Sequence, residues 1–218
     1  AYELRAEQEQ AVLQTFDYFM SHEKGEFLWN AKPRFGKTLA TYDLCKRLQA
    51  TKGDYACNIL IVTNRPAIAN SWYEDFVKFI GTESGFRFVS EVSALKGKPF
   101  VMSREEYTAG LTQELADCIE FVSLQDLKGS LYFGGQHDKL KELVNMQWEL
   151  LVIDEAHEGV DTSKTDVAFH QIKRNHTLHL SGTPFKALAN DKFPSDAIYN
   201  WTYADEQKAK AGWNDAER

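Results

Sequence analysis

The sequence has little cysteine, three residues in 218: Cys45, Cys57 and Cys118. An odd number so widely spaced supports neither a disulfide framework nor a CxxC zinc site, and the three read as small buried hydrophobes. No apolar run approaches the roughly 18–20 residues that cross a bilayer, and the start, AYELRAEQEQ, has no basic segment followed by an apolar one. No membrane association is expected, and a cytoplasmic location is. Positive charge is not in excess: 25 Lys and Arg stand against 32 Asp and Glu, a formal net charge of −7. That excludes coating nucleic acid by global charge but leaves room for a local basic groove. Repeats, low-complexity tracts and polybasic tails are absent. What is present, 43% hydrophobic and 26% charged residues, suits one folded domain or a lobe of something larger and excludes disorder of the whole. The opening residue is Ala rather than Met, so an excised piece of a longer polypeptide is expected.

Hydrophobic spacing gives an alternating order of elements. Leu4, Val12, Leu13, Phe16, Phe19 and Met20 recur at helical intervals. The apolar run Glu26–Ala31 predicts a strand, followed by the loop AKPRFGKT and a helix over Lys37–Ala50. Cys57–Thr63 predicts a buried strand and Ala67–Ile80 a helix. Phe86–Val89 and Phe100–Met102 are weak strand signals, and Asp117–Ser123 is a strand candidate. His137–Met146 predicts a helix, Glu149–Asp154 a strongly buried strand, and His176–Ser181 another. Strands separated by helices imply a mostly parallel sheet flanked by helices on both faces. Such sheets take ligands at the carboxyl ends of their strands.

Two of those strand ends carry chemistry. Ala31, Lys32, Pro33, Arg34, Phe35, Gly36, Lys37 and Thr38 come close to the phosphate-loop pattern GxxxxGK[ST]. Backbone amides of such a loop and the N-terminus of the following helix face phosphate oxygens. Lys37 would neutralise β- and γ-phosphates, Thr38 would coordinate Mg²⁺, and Gly36 allows close backbone approach. Ala31 departs from the pattern by replacing the first Gly. Arg34 departs as well, and two readings of it stand open: a phosphate contact or a solvated side chain. The second strand end is LLVIDEAH, where a buried strand finishes on adjacent acids. Unpaired buried charge is costly, and Mg²⁺ would supply the missing cation. Asp154 would hold the ion and Glu155 would orient or deprotonate the attacking water, the plainer alternative being that both cap a helix starting at Ala156.

Together these residues resemble superfamily 2 helicases and translocases of the DEAD/DEAH type, most nearly the ATPase lobe of the motor subunits of type I and type III restriction enzymes. AKPRFGKT is similar to motif I; Asp154, Glu155, Ala156 and His157 to motif II; Ser181, Gly182 and Thr183 to motif III. The resemblance implies a RecA-like P-loop domain with ATP and Mg as cofactors. It implies that Gln8, assisted by Arg5, reads adenine; a solvated glutamine on an amphipathic helix is the alternative. It implies that Thr63, Asn64 and Arg65, and later Ser123 and Gln125, grip a nucleic-acid backbone. It also implies that His157 and Thr183, with Ser181, relay the nucleotide state to that side. DNA is preferred to RNA on the resemblance alone. His170, His176 and His179 are joined by no cysteine or third close ligand and do not read as a zinc set.

A complete motor of that family has a second RecA-like lobe that supplies arginines from a QxxGRxxR-type motif, and no Gly-Arg dipeptide occurs in this chain. The expected organisation is therefore a RecA-like lobe over 1–203, then a helical tail or connector over 204–218. The expected function is the ATP-binding lobe of a DNA helicase or translocase, nearly inactive in hydrolysis without its second lobe. The alternative is a nucleotide-gated binding module without motor activity.

Overall fold

The computed structural model describes residues 2–64, 66–110, 117–154, 168–182, 193–201 and 203–216. Its strands in chain order are β1 (Glu26–Ala31), β2 (Asn58–Thr63), β3 (Phe86–Ser90), β4 (Val101–Met102), β5 (Asp117–Ser123), β6 (Trp148–Asp154), β7 (Arg174–Ser181) and β8 (Ile198–Trp201). They form one sheet in the order β4-β3-β5-β2-β6-β7-β1-β8. Every pairing is parallel. The helices are α1 (Ala6–Ser21), α2 (Lys37–Ala50), α3 (Ala69–Asp75), α4 (Arg104–Gly110), α5 (Leu124–Gly129), α6 (Glu142–Asn145) and α7 (Tyr203–Ala216). This is the expected RecA-like α/β architecture.

The central strands are buried along their length, as in β6, where all seven residues of WELLVID are buried. A parallel strand covered on both faces has no solvent side, so it reads as a continuous apolar run rather than an alternation. Successive side chains then go to opposite faces. Ile59, Ile61, Leu150, Val152, Leu178 and Leu180 join a core with Val12 and Phe19 of α1, Leu44 and Leu48 of α2, and Trp72 of α3. Leu60, Val62, Leu151 and Ile153 join a second core with Tyr107 of α4, Leu127 of α5 and Leu143 of α6. Full burial of each such side chain contributes about 1.5–3 kcal/mol. Among the described residues no helix is long and apolar enough to cross a membrane.

Several elements differ from the sequence reading. The helix expected over His137–Met146 is reduced to Glu142–Asn145. Leu140 sits at φ +61°, which interrupts helical propagation, and the carbonyl of Lys139 accepts from the Ser130 hydroxyl at 2.6 Å. The helix expected over Ala67–Ile80 is continuous only for Ala69–Asp75, then widens into a π-turn over Phe76–Ile80. The helices α4 and α5 and the edge strand β8 had no counterpart in the hydrophobic pattern. Helix α7 lies where a helical tail was expected, with Ala209 packed against the first core.

Candidate functional site

Parallel pairing brings the carboxyl ends of all the strands to one edge of the sheet, and the strand order decides which loops meet there. Strand β7 lies between β1 and β6, so the loop after β1 and the acidic end of β6 are separated by two strand spacings, about 10 Å. Asn30 of β1 is in register with Ser181 of β7, and Asp154 of β6 with Leu180. On the other side of Asp154, Thr63 and Ser123 continue the row in direct register, Thr63 opposite Asp154 and Ser123 opposite Thr63. Residues 31–38, 154, 181, 63 and 123 therefore share one edge although they span most of the chain.

The loop itself is a short 3₁₀ turn, Pro33–Phe35, ending on Gly36 at φ +78°. A left-handed residue here lets Lys37 begin α2, a 14-residue helix that only residues 32–36 separate from the end of β1, so its N-terminus and positive dipole end lie near the strand edge. Gly36 is needed for a second reason: a Cβ on it would stand 2.5 Å from the Gln8 side-chain nitrogen. Gln8, 2% exposed, donates from Nε2 to the carbonyls of Phe35 at 2.9 Å and Gly36 at 3.2 Å, while its Oε1 accepts from the backbone N–H of Arg5 at 2.9 Å. Arg5 Nη2 donates to the carbonyls of Arg34 at 2.5 Å and Phe35 at 2.9 Å. In this structure the two side chains implied as adenine readers brace the back of the 33–36 turn. Phe35 anchors the same loop from below, fully buried among Trp29, Tyr199 and Trp201 with ring centroids 5.7–6.0 Å apart.

Arg34 projects outward, with its side chain 64% exposed, and lies 3.6 Å from Glu206 of α7, which also meets Lys210 at 3.6 Å. Lys37 and Thr38 are half-buried on the first turn of α2. Asp154 is 6% exposed; its Oδ2 accepts from the Trp72 indole N–H at 3.1 Å, and its backbone carbonyl accepts from Asn64 N–H at 3.3 Å. Ser181 is buried at the end of β7. Thr63 is buried, and Ser123 caps α5 by accepting from Asp126 N–H at 3.1 Å, with Gln125 exposed on the turn that follows. Arg65, Glu155, His157 and Thr183 lie outside the described residues. Among those described, no group of three or more His, Cys, Asp or Glu could hold a metal ion. The Asp154 carboxylate at the end of β6 and the Thr38 hydroxyl on the helix after β1 are hard oxygen donors, the chemistry Mg²⁺ takes together with phosphate oxygens rather than in an all-protein cage. The sequence reading did not single out Trp72 as a partner of Asp154. The available signal was its N–H, because a buried indole needs an acceptor.

The family described as type III restriction enzyme, res subunit, matches residues 1–186. The chain belongs to that family. It is a helicase-like ATPase domain related to restriction-enzyme motor subunits, and the kinship supports ATP hydrolysis in general as the family's activity. A putative type II restriction enzyme and methyltransferase of Mycoplasma pneumoniae, RM.MpnORF110P (C-terminus), is 25% identical to it, covering 98% of this chain and 33% of that protein. Among solved structures, the type ISP restriction-modification enzyme LlaGI, as a nuclease-deletion mutant with a DNA substrate mimic, superposes with a TM-score of 0.69 at 14% identity, over 97% of this chain and 21% of that one. The Sulfolobus solfataricus SWI2/SNF2 ATPase core in complex with dsDNA gives 0.60 at 17% identity, over 88% and 34%. The UvsW helicase of bacteriophage T4 gives 0.58 at 15%, over 91% and 60%. At these identities the structures establish the shared fold. The chain spans about a third of the Mycoplasma pneumoniae protein's length.

Proposed function

We propose that this chain is the first, ATP-binding lobe of a DNA helicase or translocase motor of the restriction-enzyme type. The observation that carries the reading is the single sheet edge on which the Gly36–Lys37–Thr38 junction, Ser181, Asp154, Thr63 and Ser123 follow one another in adjacent strands. On this reading Lys37 and the amides at the start of α2 hold the phosphates, with Gln8 and Arg5 keeping the loop in its receiving shape. Thr38 and Asp154 would hold Mg²⁺, which when bound neutralises phosphate charge. Glu155 orients or deprotonates the attacking water. Ser181, Thr183 and His157 link that chemistry to Thr63, Arg65 and Ser123, which take the nucleic-acid backbone. On this reading residues 1–203 are the lobe and 204–218 a tail or the start of a connector, of which α7 covers the described part. DNA is the favoured substrate because the LlaGI and SWI2/SNF2 relatives are seen with a DNA substrate mimic and with dsDNA. The arginines of a second lobe are worth about 10³–10⁵ in rate, so this chain by itself binds ATP·Mg²⁺ and turns it over hardly at all.

Titration with a fluorescent ATP analogue tests the reading. The chain binds it in the presence of Mg²⁺, and Lys37→Ala weakens binding by about tenfold or more, the scale of one charge-assisted contact. Equal affinity in the variant removes Lys37 from the site. DNA affinity falls with salt with a log–log slope of about −0.9 per neutralised phosphate on duplex. A salt-independent complex argues against the backbone contact assigned to Arg65.

A further inference from the structure

Trp72 is 1% exposed and sits on the helix that follows β2. Its ring is clamped: Tyr42 of α2 meets it edge-on, with centroids 5.4 Å apart and planes at 89°, and the Tyr42 hydroxyl donates to the Trp72 carbonyl at 2.6 Å. Tyr42 is itself fully buried. The indole N–H of this fixed ring is directed at Oδ2 of Asp154, 3.1 Å away. The main chain of Asp154 is held from the same β2–α3 connection, by the Asn64 N–H at 3.3 Å. One connection thus grips both the backbone and the carboxylate of the acid at the strand end.

We propose that Trp72 is a positioning residue for the metal-binding carboxylate. An aspartate at a strand end has two rotatable side-chain bonds, and a rigid donor on one oxygen selects a single orientation of the carboxylate plane. An indole N–H is neutral, so it orients the group without itself neutralising it, whereas a lysine or arginine in that place would oppose an incoming cation. Donors behind a ligating carboxylate are commonly worth as much to metal affinity as some ligands are. The inference rests on the ATP·Mg²⁺ reading of the site and goes one residue beyond it.

Replacing Trp72 by 3-benzothienylalanine keeps the shape of the ring and removes the N–H; Trp72→Phe removes the N–H together with part of the volume. The readouts are binding of a fluorescent ATP analogue in EDTA, Mg²⁺ titration at fixed analogue concentration, and thermal melting. The benzothienyl protein is expected to need about tenfold more Mg²⁺ for half-maximal response, with its affinity in EDTA unchanged and its Tm lowered only by the lost hydrogen bond, less than in Trp72→Phe. Trp72→Phe gives the same shift in Mg²⁺ requirement with a lower Tm. An unchanged Mg²⁺ requirement in the benzothienyl protein overturns the proposal, as does a matching loss of affinity in EDTA, which marks a purely structural role. If the unsubstituted chain binds the analogue with no response to Mg²⁺, the metal reading of Asp154 falls and this inference falls with it. A normal Mg²⁺ response that survives loss of the indole N–H defeats this inference alone.

Discussion

Two buried carboxylates on the same sheet accept from different kinds of donor. Glu120, midway along β5, is 1% exposed and is paired with Arg104 of α4, whose Nε lies 3.9 Å from Glu142 of α6. Asp154, at the end of β6, is 6% exposed and accepts from the Trp72 indole. Glu120 is answered by a cation of its own chain, so the pair is self-contained and ties α4 to the second face of the sheet. Asp154, at the carboxyl edge of the sheet, accepts from a neutral indole, and on the proposed reading its charge is also met by Mg²⁺. Mid-strand burial demands internal compensation; a strand end can leave that compensation to a ligand.

The largest effect expected from this contrast is on stability at β5. Arg104→Met strands a buried carboxylate and should cost about 3–5 kcal/mol in urea unfolding, with most of it recovered by adding Glu120→Leu. A single variant no less stable than the double one would break the comparison from that side. Asp154→Asn should cost within about 1 kcal/mol, because an amide oxygen still accepts from the indole, while the Mg²⁺ dependence of nucleotide binding disappears. A stability loss on the scale of Arg104→Met would put both acids in the same structural class.

Smaller effects are expected where charge meets solvent. Glu206→Gln removes the partner of an Arg34 side chain that is 64% exposed, so its cost should stay within about 1 kcal/mol and fall with salt. The local sign is faster amide exchange along α7, and unchanged exchange there would mean that the pair does not hold the helix. Smallest is the pH response of His176, at the opposite edge of the sheet, where it stacks on Phe19 with centroids 4.4 Å apart. Burial lowers its pKa, Glu149 pulling it up and Lys52 adding to the fall. The folded protein therefore holds this imidazole neutral, and the stability that brings is complete above the unfolded value of about 6.5 and is lost as pH falls from there through the lowered folded value. His176→Gln should flatten Tm against pH across that window; an unaltered acid limb would assign it to other groups.

The strands β2, β5 and β6 were legible because a strand covered on both faces is apolar throughout. Helices α1 and α2 were legible because sixteen and fourteen residues carry several turns of periodicity. Short elements were not: α4 buries one side chain, Tyr107, and β8 is four residues long, too few to establish a period. The helix over His137–Met146 failed because hydrogen bonds from Ser130 and Leu131 to Lys139 and His137 hold the segment in a turn that its spacing does not reveal. At the candidate site, the positions of Lys37 and Thr38 at the start of α2 and of Asp154 at the end of β6 were readable. The Gln8 amide was read as turned toward a nucleotide base or toward water and is instead turned toward the loop.

The amino-acid sequence by itself determined which strands are buried and which residues stand at their carboxyl ends, since element type and burial are written in short-range periodicity. Only the tertiary structure decided that β7 lies between β1 and β6, that Arg34 meets Glu206, and that the Trp72 indole reaches Asp154. Those relations depend on pairing and packing between segments far apart in the chain, where the free energy belongs to the contact and to neither residue alone.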